Sequence, residues 1–167
     1  MSWPASKRAD ERMCWLRHKS QITWQAMPAA AVSNLFEAAG ISSRGWRDDY
    51  FWYPDVDTWI EWIKEAHASA PAYQPITSQQ RGFDCDKFAR HLSDYVAVKY
   101  LCNSAWEVWG EASFSNPPGN HAWNIILTEG GLFEIEPQTA DIWEVGTNRR
   151  YHTRSIYFVS GQAHKES

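Results

Sequence analysis

Apolar residues recur at helical spacing in the first two-thirds of the chain and at strand spacing in the last third. The first clear helical pattern opens at Pro28 and runs to Ala39. Val32, Leu35, Phe36 and Ala39 face inward, Ser33, Asn34 and Glu37 face water, and Gly40 closes the segment. Tyr50 to Tyr53 form an aromatic patch ended by Pro54. Asp57 or Thr58 is then placed to cap a second helix through about Ala68, with Trp59, Ile60, Trp62 and Ile63 as its heavy side. Ser69 to Gly82 carries Pro71, Pro75 and Gly82 and reads as an irregular connection. The third helix is expected from Cys85 to Leu101, where Phe88, Leu92, Tyr95, Val96 and the stem of Lys99 share one face. A shorter helix is expected around Asp10–His18.

Past residue 116 the period changes. Asn116-Pro117-Pro118-Gly119 reads as a loop, and His121–Thr128 carries the strongest strand signal. Glu129-Gly130 supplies a two-residue hairpin turn into a partner strand, Leu132–Glu136. Ser155–Val159 reads as a further strand. Helices first and strands afterwards indicate an α+β fold, with N-terminal helices packed on an antiparallel sheet. At 167 residues the chain has room for one domain with a proper core. Residues 1–25 are charged and dotted with Trp and read as an N-terminal extension, with residues 26–167 as a single catalytic domain.

Composition narrows the function classes. Apolar residues make up 44% and charged residues 22%, ordinary values for a globular protein. The 11 Trp are out of the ordinary; most are expected to fill a small core, and the rival reading is an exposed platform for sugar or peptide. A net charge of −4 without a long basic run argues against nucleic acid. No apolar run approaches a membrane span, and Met1–Ser20 lacks the apolar stretch of a secretory signal, so a cytoplasmic protein is expected. Cys14, Cys85 and Cys102 are odd in number and widely spaced, which fits a reduced compartment and one special thiol better than a disulfide framework.

That thiol is Cys85. It opens a helix after Arg81-Gly82-Phe83-Asp84, and unpaired N–H groups at a helix start favour negative charge. The bland alternative is a buried structural Cys with Asp84 as an ordinary cap. His121, at the start of the strongest strand, is the candidate base. If Glu129-Gly130 is a two-residue turn, Thr128 pairs with Gly131 and Glu136 falls opposite Trp123. His121 and Glu136 are then diagonal neighbours on one face, roughly 7–8 Å apart at the backbone, a gap that a Glu side chain spans. The same register puts Gln138 directly opposite His121 as the reserve, while Glu134 shares the face but lies farther off. The backbone N–H of Cys85 is a natural oxyanion donor; Gln79 and Gln80 are side-chain candidates, with a solvated loop as the equal alternative. Asp84, Asp86 and Asp94 invite a divalent ion but lack the spacing of a calcium loop, and Asp86 is more simply a residue favoured by the helix dipole.

Asp-Cys-Asp-x-Phe-Ala at 84–89, His-Ala-Trp-Asn at 121–124 and Glu-Pro-Gln-Thr at 136–139 resemble a known family. It is the papain-like cysteine protease domain of the mushroom lectin Marasmius oreades agglutinin, together with small phage and bacterial proteins related to that lectin. The resemblance covers roughly residues 28–160. It implies a papain-like or transglutaminase-like fold and a Cys-His-Glu triad made of Cys85, His121 and Glu136. It also implies activation by calcium or a similar divalent ion, although the family's metal ligands have no residue-by-residue match here. The lectin's sugar-binding β-trefoil has no counterpart. The residues themselves require no cofactor. The leading expectation is a peptidase or amidase that acts on protein or peptide substrates through a thioester. The rival readings are a non-catalytic binding or virion-associated module and acyl transfer to an amine, which uses the same intermediate.

Overall fold

The computed structural model describes residues 22–41, 46, 48–74, 82–113, 119–148 and 151–157. The expected helix at Asp10–His18, the thiol of Cys14 and the amides of Gln79 and Gln80 lie outside the described residues. Strand β1 (Gln25–Pro28) leads directly into helix α1 (Ala29–Ala38) and pairs antiparallel with β2 (Tyr50–Tyr53). Helix α2 (Val56–Ser69) and helix α3 (Cys85–Tyr100) follow. Then come β3 (Ala105–Ala112), β4 (Gly119–Thr128), β5 (Gly131–Glu136), β6 (Asp141–Glu144) and β7 (Tyr151–Tyr157). These last five form one antiparallel sheet in the order β6-β5-β4-β3-β7. The protein is therefore α+β, with the Cys-bearing helix packed on an antiparallel sheet.

The helices begin and end for local reasons. Val32 and Phe36 of α1 are fully buried, as the pattern requires, while Ala39 lies just past the helix and is exposed. There Gly40, at φ 73°, turns the chain so that the N–H of Ile41 reaches the carbonyl of Phe36, and Ile41 is buried beneath the helix end. The cap of α2 is Asp55, upstream of both residues expected from the sequence; its Oδ1 accepts the N–H of Thr58 at 2.8 Å. Helix α3 ends on Leu101, a non-glycine residue at φ 55° and ψ 34° whose side chain is 56% exposed. A left-handed residue with a Cβ costs about 1–2 kcal/mol. Leu101→Gly is therefore expected to stabilise the fold by about 1 kcal/mol, a rise of roughly 2–4 °C in the melting midpoint measured by circular dichroism.

Four of the nine described Trp residues are fully in the core. Trp59, Trp62, Trp106 and Trp123 are buried, and Trp52 alone among the described indoles is exposed. Trp59 crosses from α2 to the sheet and donates to the carbonyl of Leu127 at 2.8 Å. Trp62 stacks on Tyr100 of α3 at 4.0 Å, while Phe36, Trp46 and Phe51 gather around Trp106 of β3. The local pair Trp59/Trp62 is therefore interior and offers no surface for a partner.

One buried polar residue fixes α3 on the sheet. Asn124 of β4 donates from Nδ2 to the carbonyl of Ala89 at 2.8 Å and to Ser93 Oγ at 2.9 Å. Both acceptors lie on α3, within two or so turns of Cys85, and Asn124 lies three residues beyond His121. The anchor thus ties the helix that opens with the thiol to the strand that carries the imidazole.

Candidate active site

The hairpin forms in the expected register. Thr128 pairs with Gly131 and the ladder continues to Asn124 opposite Ile135. One further step in the same register places Glu136 across from Trp123 and on the diagonal from His121. Both side chains are buried, and His121 Nε2 lies 2.5 Å from Glu136 Oε2. The ring therefore meets the Glu136 carboxylate. Gln138 contributes its backbone N–H, which donates to Glu136 Oε1 at 3.1 Å.

Cys85 is the first residue of α3 and is partly exposed. Its N–H has no intrahelical acceptor, as for any first-turn residue. The Asp84 side chain does not cap the helix; its Oδ1 takes Lys87 Nζ at 2.7 Å. The Cys85 side chain lies close enough to His121 to raise the proton affinity of its ring. With Nε2 committed to Glu136, Nδ1 is the ring nitrogen left for the sulfur.

The electrostatics of His121 follow from these contacts. Burial alone would push the imidazolium toward neutrality, but the nearby Cys85 side chain, the hydrogen bond to Glu136 and the charges of both carry its pKa up to about 9. Asp84 and Asp86, on either side of Cys85, form a carboxyl pair. Burial pushes Asp84 up, and its bonds to Asp86 and Lys87 outweigh that and bring it below the usual range. Asp86 is raised by burial and then by the Asp84 carboxylate beside it. Burial also raises Asp94, against the pull of Arg90 and His91. Among the described residues no three His, Cys, Asp or Glu side chains are arranged to hold a metal ion.

Two acids that the sequence puts on one face, Glu136 first and Glu134 third in rank, have different employment. Glu134, on the same face as Glu136, accepts Trp123 Nε1 at 3.1 Å and Trp143 Nε1 at 2.8 Å. The Trp123 ring lies 5.9 Å from the His121 ring and tilted only 21° from it. Glu134 thus holds the indole that covers the imidazole. Tyr151 escaped the sequence reading altogether; its hydroxyl donates to Glu136 Oε2 at 3.0 Å. Asn124 was legible in principle, as the one amide within a run of buried apolar residues in β4.

Cys102 contrasts with Cys85. It is buried, it donates to the Trp52 carbonyl at 3.3 Å and lies 3.2 Å from Ser104 Oγ, and burial pushes its thiol up to about 11. Iodoacetamide at pH 8 is expected to leave Cys102 unmodified in the native protein and to label it in urea, as read by peptide mass mapping.

Comparison with protein-family models and with curated proteins finds no match. Among the described residues, no helix is long and apolar enough to cross a membrane.

Proposed function

We propose that this protein is a cysteine peptidase or amidase of papain-like or transglutaminase-like architecture, acting on protein or peptide substrates. The observation that carries the reading is the His121 imidazole, bonded to the buried Glu136 carboxylate and raised in proton affinity by the partly exposed Cys85 thiol beside it. Three residue types brought together from a helix start and two adjacent strands are what thiol acyl transfer requires.

The steps follow from the positions. The proton of Cys85 passes to His121, and the thiolate attacks the substrate carbonyl carbon. The carbonyl π electrons move onto oxygen, where the Cys85 N–H at the helix start is placed to donate. Collapse of that intermediate breaks the bond to nitrogen; His121 gives its proton to the leaving amine, and a thioester on Cys85 remains. Water, deprotonated by His121, attacks the thioester. The acid leaves, and the thiolate–imidazolium pair is restored. Glu136 holds the ring in place and stabilises its positive form.

The direct test is intact mass spectrometry of the protein mixed with activated acyl amides and peptide mixtures. An acyl adduct that maps to Cys85 and disappears with hydroxylamine supports the thioester. Absence of any adduct across substrates, with Cys85 accessible to small alkylating agents, would count against catalysis.

A further inference from the structure

The strand order places β5 and β7 three steps apart, separated by β4 and β3. In a flat sheet this is roughly 14 Å at about 4.8 Å per step, beyond the reach of a tyrosine side chain. Yet the Tyr151 hydroxyl of β7 lies 3.0 Å from Glu136 Oε2 of β5. Its ring also lies 4.7 Å from that of Trp143 on β6, the opposite edge strand. The sheet is therefore curled, with His121, Trp123, Glu136, Trp143 and Tyr151 gathered on its concave face.

Tyr151 is held on several sides. Trp123 meets it edge to face at 5.2 Å, Trp143 lies tilted against it, and the His121 ring is 5.9 Å away. A ring so enclosed has little freedom to redirect its hydroxyl. That hydroxyl donates to the same oxygen that faces His121 Nε2, while the other carboxylate oxygen is taken by the N–H of Gln138.

We propose that Tyr151 is a positioning residue of the site: its hydroxyl fixes Glu136 Oε2 in line with His121 and draws negative charge off that oxygen. The role rests on the catalytic reading of Cys85, His121 and Glu136. It acts through Glu136 and asks nothing of substrate contact. It also sets how firmly His121 keeps the proton that it must hand to the leaving group. The titratable groups that face His121 include Cys85 from α3, Glu136 from β5 and Tyr151 from β7. Of these, Tyr151 is the one whose hydrogen bond bears on the strength of the carboxylate. A ring that merely filled the concavity would serve equally well without its oxygen.

Tyr151→Phe keeps the ring and removes the oxygen. The test compares the pH dependence of Cys85 alkylation by iodoacetamide with the titration of His121 followed by NMR on labelled histidine. Wild type is expected to show an inflection near 9 from His121. In Tyr151→Phe the Glu136 oxygen keeps more of its charge, and the inflection is expected to move up by roughly half a unit to one unit. In a Glu136→Gln background the same Tyr151→Phe change is expected to produce no further shift. An inflection unchanged or lowered in Tyr151→Phe, with wild type behaving as expected, would overturn the positioning role and leave the triad standing. A wild-type profile without the His121 inflection would instead remove the catalytic reading, and the role of Tyr151 with it.

Discussion

Replacing His121 with alanine is expected to lower the rate of Cys85 acylation by two to four orders of magnitude while leaving a folded protein. The size follows from what the imidazole does. It accepts the thiol proton before attack and returns it to the leaving amine, and a positioned general acid–base contributes about 10²–10⁴-fold. Without it, the thiol must lose its proton to solvent and the amine must leave unassisted. The substitution also strips the buried Glu136 of one partner. Tyr151 and the Gln138 N–H remain on the carboxylate, so the fold is expected to survive with a loss of a few kcal/mol. Acylation by an activated ester, followed by mass mapping of Cys85 and accompanied by a thermal melt, separates the two effects. Cys85→Ala is the matching control, with no acylation at that position and a melt close to wild type.

Glu136→Gln is expected to bring the second large change, and its sign can be worked out. In the wild type, the folded-state pKa of His121 stands at about 9 against an ordinary value of 6.5. A raised folded pKa means that proton binding favours the native state. The stabilisation is full below about pH 6.5, declines between 6.5 and 9, and is gone above 9. The difference corresponds to on the order of 3 kcal/mol. With Gln at 136 the negative charge is gone, burial of the ring acts with less opposition, and the His121 pKa falls. Urea unfolding at pH 6 and pH 9.5 is the measurement. The wild type should lose more stability than Glu136→Gln over that interval, by a part of that total, because Cys85 still raises His121 in the variant. Comparing the two chains cancels Cys102 and Tyr100, whose raised values of about 11 and about 12 also weaken the fold at high pH. Turnover is expected to fall by roughly 10²-fold or more, because the ring loses the charge that stabilises its protonated form. Equal pH slopes in the two chains would show that Glu136 does not govern His121.

The parts of this site that were legible in the sequence depend on short-range rules. A two-residue turn at Glu129-Gly130 sets the register of a hairpin, and the register sets which side chains share a face. His121 and Glu136 could therefore be placed together before any tertiary structure was known. Helix α3 was legible because Phe88, Leu92 and Val96 repeat at helical spacing and are buried together. Strand β3 was not, because nearly all its residues are covered on both sides and the alternation that marks a half-buried strand is missing. Strands β1 and β6 span only four residues each, too few for a period to emerge. Asp55 was passed over as a cap because Asp57 and Thr58 lie in the same short stretch and the choice turns on backbone angles. Tyr151 lay beyond reach for a different reason. Its contact with Glu136 depends on how far a five-stranded sheet curls, a property of all the strands at once.

The measurement that tests the central claim most directly is the pH dependence of Cys85 alkylation by iodoacetamide, resolved for each cysteine by mass mapping and repeated on His121→Ala. Cys85, partly exposed, is predicted to be alkylated in the native protein, while Cys102 stays silent. The Cys85 rate should climb through about 9 as His121 loses its proton, and that step should vanish in His121→Ala. A Cys85 rate profile without that step, and unaffected by His121→Ala, would contradict the account.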